Sequence, residues 1–435
     1  MKNTFLKLSL FLFGIYSISH LTSCNEVPVE IPLVQDTLTV YSLSSNDAAL
    51  ITSKSQHYKE LDGPFNMQFQ LLGRSNNYKS HVLYRFFGLP KDMSYISELD
   101  IKEATLYLFP DKYTFGDTTN FEQEFTVHEV LDSISRFNSF SDIFDANDNT
   151  SIFNYQVGEF SGKAEPKDSI PFKIEIDKQL ILKWFTFAAK EDSIRSIWTD
   201  STKTLDLTKA ENRYLFHSYS IGLKAGQNSK VINRFINRSD LDTLYNTQIK
   251  LVVNKAGKDT TIYLKNSISA YYPFAPEIEE DDDIYLQGTG RTRTQFDFDI
   301  SEIPPLSAIL SCQLELTLDT NNSEFGSFGR SIYIAGASSE DPFFTPESDN
   351  LGTWPYLAVA NDSIPDKYTF SNITPLMDSW NRKEGKGQFV LSPARGTSAL
   401  VELTYFDKYK FFGSNNPDIS KRPKLLIIYS KRPNI

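Results

Sequence analysis

From Leu310 to Leu318 the chain alternates without a break, with Leu310, Cys312, Leu314, Leu316 and Leu318 on one side and Ser311, Gln313, Glu315 and Thr317 on the other. A period of two sends successive side chains to opposite faces of a β-strand, so this segment reads as a strand with one face in a core and one in water. The same phase puts Cys312 on the buried face, as a small core residue and not a nucleophile. Phe296, Phe298 and Ile300 alternate with Asp297 and Asp299 in the same manner, the aspartates forming the wet face. Most of the remaining chain is short alternating segments separated by Gly, Pro, Asn and Asp, the pattern of an antiparallel β-sandwich. The 33 Phe and 22 Tyr supply the apolar bulk that sizeable cores need.

The pattern repeats loosely at a spacing of roughly 200 residues. Val82–Pro90 followed by Ile101–Leu108 corresponds to Phe296–Pro304 followed by Leu310–Leu318, each a strand, a Pro-marked turn and a strongly alternating strand. Each copy then has one helical pattern ending in Trp. Asp177 is placed to cap a helix with Leu180, Ile181 and Trp184 on one face; Thr374 is placed to cap another, with Pro375 at its first position and Leu376, Met377 and Trp380 sharing a face. Each Trp is expected to plug its helix onto a sandwich. Glu191–Trp198 reads as a second short helix inserted in the first copy. The copies close on Gln248–Val253 and Lys424–Tyr429, and Ala256-Gly257-Lys258-Asp259 marks a hairpin that adds Thr261–Leu264 to the first. The prolyl, then acidic, stretch up to Glu277–Asp283 reads as a linker. The expected organisation is a leader at 1–23, a tether at 24–35, a first β-sandwich at 36–266, an acidic linker at 267–283 and a second β-sandwich at 284–435.

The amino terminus bears on location. Lys2 and Lys7 precede an apolar run from Leu8 to Ile18, and Leu21-Thr22-Ser23-Cys24 follows. The run is shorter than the ~20 residues of a membrane span and reads as a bacterial lipoprotein signal, with cleavage before Cys24 and lipid on its thiol. The mature protein is then expected to hang from the cell envelope by its acyl chains, as an outer-membrane lipoprotein, with the Pro28 and Pro32 stretch as an extended tether. Losing Lys2 and Lys7 makes the net charge of −11 more negative still, which disfavours nucleic acid as a partner. With Cys24 lipidated, Cys312 has no partner for a disulfide within the chain.

Arg291–Phe298, Leu310–Leu318, Ile373–Trp380 and Arg422–Leu425 together resemble the DNRLRE family of jelly-roll modules from secreted and surface bacterial proteins. The first copy matches more loosely. Through Ala104–Leu108, Gly116–Thr119 and Val127–Val130 it is also similar to a Bacteroidota lipoprotein family of unknown function. The resemblance implies an all-β chain of two tandem jelly-roll-like antiparallel sandwiches, each with a short helix carrying a core Trp, and, for some members, polysaccharide binding. It supplies no catalytic residue.

Chemistry is sparse in the sequence. His57, His81, His128 and His217 show neither HxH nor HExxH spacing, and there is no CxxC, so no zinc site or other cofactor is expected. No GxSxG elbow is present, and Gly288-Thr289-Gly290 reads as a turn. The Glu277–Asp283 run lacks the spaced, Gly-containing order of a calcium loop. A glycosidase needs only two carboxylates placed ~5–9 Å apart by the fold, which no motif marks. Tyr271, Tyr272, Trp354 and Tyr356 are aromatics in loop-like contexts that would serve a sugar or pack between domains. The expected function is a non-enzymatic, lipid-anchored envelope protein that binds a glycan or a surface partner. The alternatives are a polysaccharide-acting enzyme with a carboxylate pair hidden in the fold, or a structural subunit of an envelope assembly.

Overall fold

The computed structural model describes residues 40–44, 51–57, 68–130, 140–167, 170–199, 219–237, 246–278, 281–289, 292–305, 307–327, 331–336, 356–359, 365–371, 373–383, 385–393 and 405–431. Cys24, His217 and Trp354 lie outside them. The chain is all-β, built from antiparallel sheets packed as sandwiches, with a few short helices. An 11-stranded sheet curls around the core of a first module, while a 4-stranded and a 7-stranded sheet enclose the core of a second.

The sequence repeat is a repeat of pairing. In the first module the strand Ile101–Leu108 lies between Gln248–Lys255 and Phe172–Glu175; in the second, Ala308–Thr317 lies between Lys424–Ser430 and Lys367–Phe370. The strand Tyr78–Phe87 pairs with Ser220–Ala225 as Thr292–Asp299 pairs with Lys386–Ser392. A helix follows in each case. In α1 (Phe140–Ile143) the turn is brief, whereas α2 (Lys178–Thr199) and α3 (Thr374–Lys383) are the Trp helices. Asp177 accepts the Gln179 N–H at 2.9 Å and caps α2, which buries Leu180, Ile181, Trp184 and Phe185. In α3, Leu376, Met377 and Trp380 are buried, and the Trp380 ring stacks 6.0 Å from Phe389.

One strand distinguishes the modules. Lys258–Phe274 is long enough to serve both sheet regions of the first: its first half pairs with Gln248–Lys255 and its second half with Tyr78–Phe87. In the second module those two places are filled from the far end of the chain. Val40–Ser44 pairs with Lys424–Ser430, and Ile51–His57 pairs with Thr292–Asp299. Residues 40–44 and 51–57 therefore complete the second module and not the 36–266 unit to which sequence order assigns them. The acidic linker is likewise shorter than 267–283, because the Lys258–Phe274 strand runs through its first part.

Three smaller expectations also change. The ladder of Ala308–Thr317 is bulged between Ile309 and Ser311, so the extra residue shifts the phase: Ile309 is buried and Leu310 is 45% exposed, while Cys312, Leu314, Leu316 and Leu318 face the core as expected. Glu191–Trp198 is no separate helix but the continuation of α2. Thr374 opens α3, yet its Oγ1 accepts the Cys312 N–H at 2.9 Å, tying helix to strand instead of capping. The expected hairpin turn is present: Ala256 (φ 52°) and Gly257 (φ 81°) are both left-handed, as a two-residue turn matched to strand twist requires.

The modules are welded by polar groups around Tyr113. Its hydroxyl accepts the Phe406 N–H at 2.8 Å and donates to Asp407 at 3.0 Å, and Asp407 also accepts the Gly326 N–H at 2.7 Å. A Cβ on Gly326 would lie 2.3 Å from the Tyr113 ring, so only glycine permits this approach. Phe406 packs into the first module against Tyr78 and Phe115, and the Arg234 guanidinium, paired with Asp111, lies 4.6 Å over Tyr405.

Candidate functional site

Of the aromatics that sequence context singled out, two are placed inside a strand and Trp354 lies outside the described residues. Tyr271 and Tyr272 lie inside the Lys258–Phe274 strand and are fully buried. Tyr356 begins the strand Tyr356–Val359. His81 is buried on the outer side of Tyr78–Phe87, where its Nδ1 accepts the Ala225 N–H at 3.0 Å and its ring packs on Phe140 and Phe144. His128 is bonded to Thr126 and to the Asn154 carbonyl within its own sheet. His57 lies in the Ile51–His57 strand. Cys312 is buried, and burial raises its thiol well above the ordinary range, as befits an inert core residue. Among the described residues no group of three or more His, Cys, Asp and Glu is placed to hold a metal. The acidic run is bound to protein: Asp281 and Asp283 pair with Lys410 at 3.4 and 3.0 Å, and Asp281 accepts the Tyr285 hydroxyl at 2.7 Å.

Two exposed aromatics, Tyr263 and Phe87, and the half-buried Tyr107 share the outer face of the first module's sheet. Leu106, Leu108, Ile249, Leu251 and Leu264 point into the core, so their strand neighbours Tyr107, Lys250 and Tyr263 point out. Registry puts Lys173, Tyr107, Gln248, Lys265 and Phe87 in one cross-strand row and Glu175, Thr105, Lys250 and Tyr263 in the next. Tyr263 is 51% and Phe87 48% exposed. The polar groups between the rings are fixed. Lys250 donates to Glu103 at 2.7 Å, the Tyr107 hydroxyl donates to the same carboxylate at 3.3 Å, and Lys173 lies 5.7 Å over the Tyr107 ring. The bonded Lys250 ammonium holds Glu103 below the usual carboxylate range, Glu103 raises Lys250 in return, and burial followed by the Glu103 charge raises the Tyr107 phenol.

The second module provides an internal control for this face. The residue facing Lys424 there, where Tyr107 faces Gln248, is Glu315, and the residue facing Leu426, where Tyr263 faces Lys250, is Ser44. The same fold is built without aromatics at these places, so folding does not require them. Sequence reasoning missed Tyr107 and Tyr263 by searching the loops, although both alternate with buried neighbours inside strands.

Two clefts of ≈ 500 Å³ each flank the loop 319–327 at the seam between modules. The first is lined by Lys112, Thr118, Phe121 and Glu165 of one module and Phe325 and Ser327 of the other. The second holds Asn76, Tyr78, Glu277, Tyr285, Glu324 and Lys408 among its lining residues, with the Tyr78 hydroxyl donating to Glu324 at 3.1 Å. No protein-family model matches this chain, and no curated protein matches it.

Proposed function

We propose that this is a non-enzymatic envelope lipoprotein, anchored through Cys24, that binds a glycan across the outer face of its first module. The observation that supports the binding reading is the exposed Tyr263 and Phe87 beside the half-buried Tyr107 on one sheet face, where the repeated module has Ser44 in place of Tyr263 and Glu315 in place of Tyr107. Aromatic rings offer an apolar surface to the C–H faces of pyranose rings, and the fixed Lys250–Glu103 pair and Gln248 supply donors and acceptors for hydroxyls. A rigid sheet presents both without an ordering cost at binding. The resemblance to DNRLRE modules read from the sequence, some members of which bind polysaccharide, is what motivates a glycan as the ligand class.

The test is a panel of neutral and acidic oligosaccharides offered to the mature chain carrying Cys24→Ala, with product followed over hours. Tyr263→Ala and Tyr107→Ala should each weaken a hit about tenfold, or about 1.4 kcal/mol. Undiminished binding by both variants would remove the face from consideration. Product release would replace the binding reading with the hydrolase alternative, whose carboxylates to test are Glu277 and Glu324. Silence across the panel would favour a structural envelope subunit.

A further inference from the structure

We infer that the segment 140–153 is an acid-released flap: protonation of His81 beneath it breaks its seat, and it lifts from the outer face of the first module's sheet. The seat lies along two paired strands, with His81 opposite Tyr272 and Leu83 opposite Ala270. Phe140 and Phe144 cover it, their ring centres 5.5 and 4.5 Å from that of His81. With Leu83, Ala270 and Tyr272 they form a small core apart from the main one. Phe153 closes the far end on Gly222, where a Cβ would fall 2.1 Å from its ring, so the sheet admits the flap there only because the residue is glycine. One ionic pin completes the seat. Asp145 accepts the Asn147 and Asn149 N–H groups, each at 2.8 Å, and this turn holds Asp148 at φ 60°, a conformation that Asp tolerates. Its carboxylate turns inward and accepts from both Arg74 and Lys79.

His81 fits this place only while neutral. A backbone N–H only donates, so the Ala225 N–H at 3.0 Å meets the lone pair of Nδ1, and the ring proton sits on Nε2, which finds no acceptor among the described residues. A second proton would go to Nδ1 and set two donors face to face. The surrounding charges offer no relief. Lys79 on the same strand, Arg74 on the strand Phe69–Ser75 and Lys224 on the strand Ser220–Ala225 all repel an imidazolium. Asp148 on the flap attracts one but is already shared by Arg74 and Lys79, and Tyr272 opposite is a phenol that burial keeps uncharged. Burial is the largest influence and pushes His81 down to about 3. The proton is therefore taken with the flap raised, where the ring meets water at its ordinary 6.5. Below that pH the raised form gains about tenfold per unit, or about a hundredfold by pH 4.5. Raising the flap bares Leu83, Ala270 and Tyr272 on the two strands that carry Phe87 and Tyr263 further along, so the open outer face grows in acid. This device does not rest on the glycan reading.

The experiment is hydrogen exchange of the mature Cys24→Ala chain in steps from pH 7 to 4.5, read by mass spectrometry as protection factors corrected for the intrinsic effect of pH. Protection across 140–153 should hold down to pH 6.5 and then fall about tenfold per unit. At pH 4.5 it should lie at least tenfold below that of Ile101–Leu108; equal protection would mean that the flap leaves only when the whole module unfolds, and would overturn the inference. His81→Gln should keep the protection of 140–153 within threefold across the range. His128, the other histidine at the flap, stacks on Phe153 with ring centres 5.4 Å apart, and His128→Gln should follow the parent. A fall that persists in His81→Gln, or that His128→Gln abolishes, would overturn the assignment to His81. The parent profile decides even where a variant does not fold: a fall that begins only below about pH 5 belongs to carboxylates and not to a histidine, and would refute the inference by itself.

Discussion

Deleting residues 1–57 should unfold the second module and spare the first. The ribbon lost makes five register pairs with Lys424–Ser430 and seven with Thr292–Asp299. An antiparallel ladder carries on average one backbone hydrogen bond per pair, so about a dozen are lost. At a net 0.5–1.5 kcal/mol each, that is about 6–18 kcal/mol, the size of a whole domain's stability. The Tyr41–Tyr429 stack, with centroids at 5.4 Å, goes as well. Hydrogen exchange read by mass spectrometry separates the modules. Amides of Ala308–Thr317 and Lys424–Ser430 should lose protection in the chain starting at residue 58, while those of Ile101–Leu108 and Gln248–Lys255 keep it. A peptide spanning 40–57 added in trans should restore protection in the second module. Equal protection of Lys424–Ser430 with and without the ribbon would refute the argument that these strands complete the module.

At the seam, Tyr113→Phe leaves the buried Phe406 N–H without its acceptor and should cost about 1–3 kcal/mol in urea unfolding, with a double-mutant cycle against Asp407→Asn showing that the two residues act together. His81, lowered to about 3 chiefly by burial, is neutral in the fold and takes a proton first when unfolded. Its contribution is therefore complete above pH 6.5 and declines as the pH falls towards 3, reaching a loss of about 2–3 kcal/mol at pH 4.5; the urea midpoint of His81→Gln should vary less between pH 7 and 4.5 than that of the parent. Cys24→Ala should move the protein from the membrane fraction to the soluble fraction, and a variant that stays with the membrane would sink the lipoprotein reading.

Face assignments were legible where alternation was strict. Phe296, Phe298, Leu314 and Leu316 lie where the period places them, and both Trp helices bury the faces that their spacing marks. Partner assignments were not, because a period of two says which side of a strand is wet and nothing about which strand lies beside it. Residues 40–44 and 51–57 precede the first module in sequence and yet pair with the second, a choice that only three-dimensional closure of the sheets decides. The bulge at Ile309–Ser311 is silent in the sequence for a related reason, since Leu310 extends the alternation that the bulge breaks. Tyr271 and Tyr272 looked loop-like beside Pro273 and Pro276, but the strand continues past them and buries both.

The repeat supplies what a single module would not. Two copies of one fold in one chain meet the same packing demands, so a feature shared by both is explained by folding and a feature confined to one needs another reason. The Trp-bearing helices and the flanked alternating strands are shared, and Trp184 and Trp380 are accordingly buried and structural. Each outer face also carries a carboxylate paired with lysine, at non-corresponding places: Glu103 with Lys250 at 2.7 Å in one module, Glu315 with Lys367 at 3.0 Å in the other. These half-buried pairs keep a solvent-facing sheet polar. Tyr107 and Tyr263 are not shared, and leaving Tyr263 half in water forgoes about half of the ~1.5–3 kcal/mol that fully burying a large apolar side chain brings. A ligand that covers the face recovers that gain, and the module that lacks the rings has no such gain to recover.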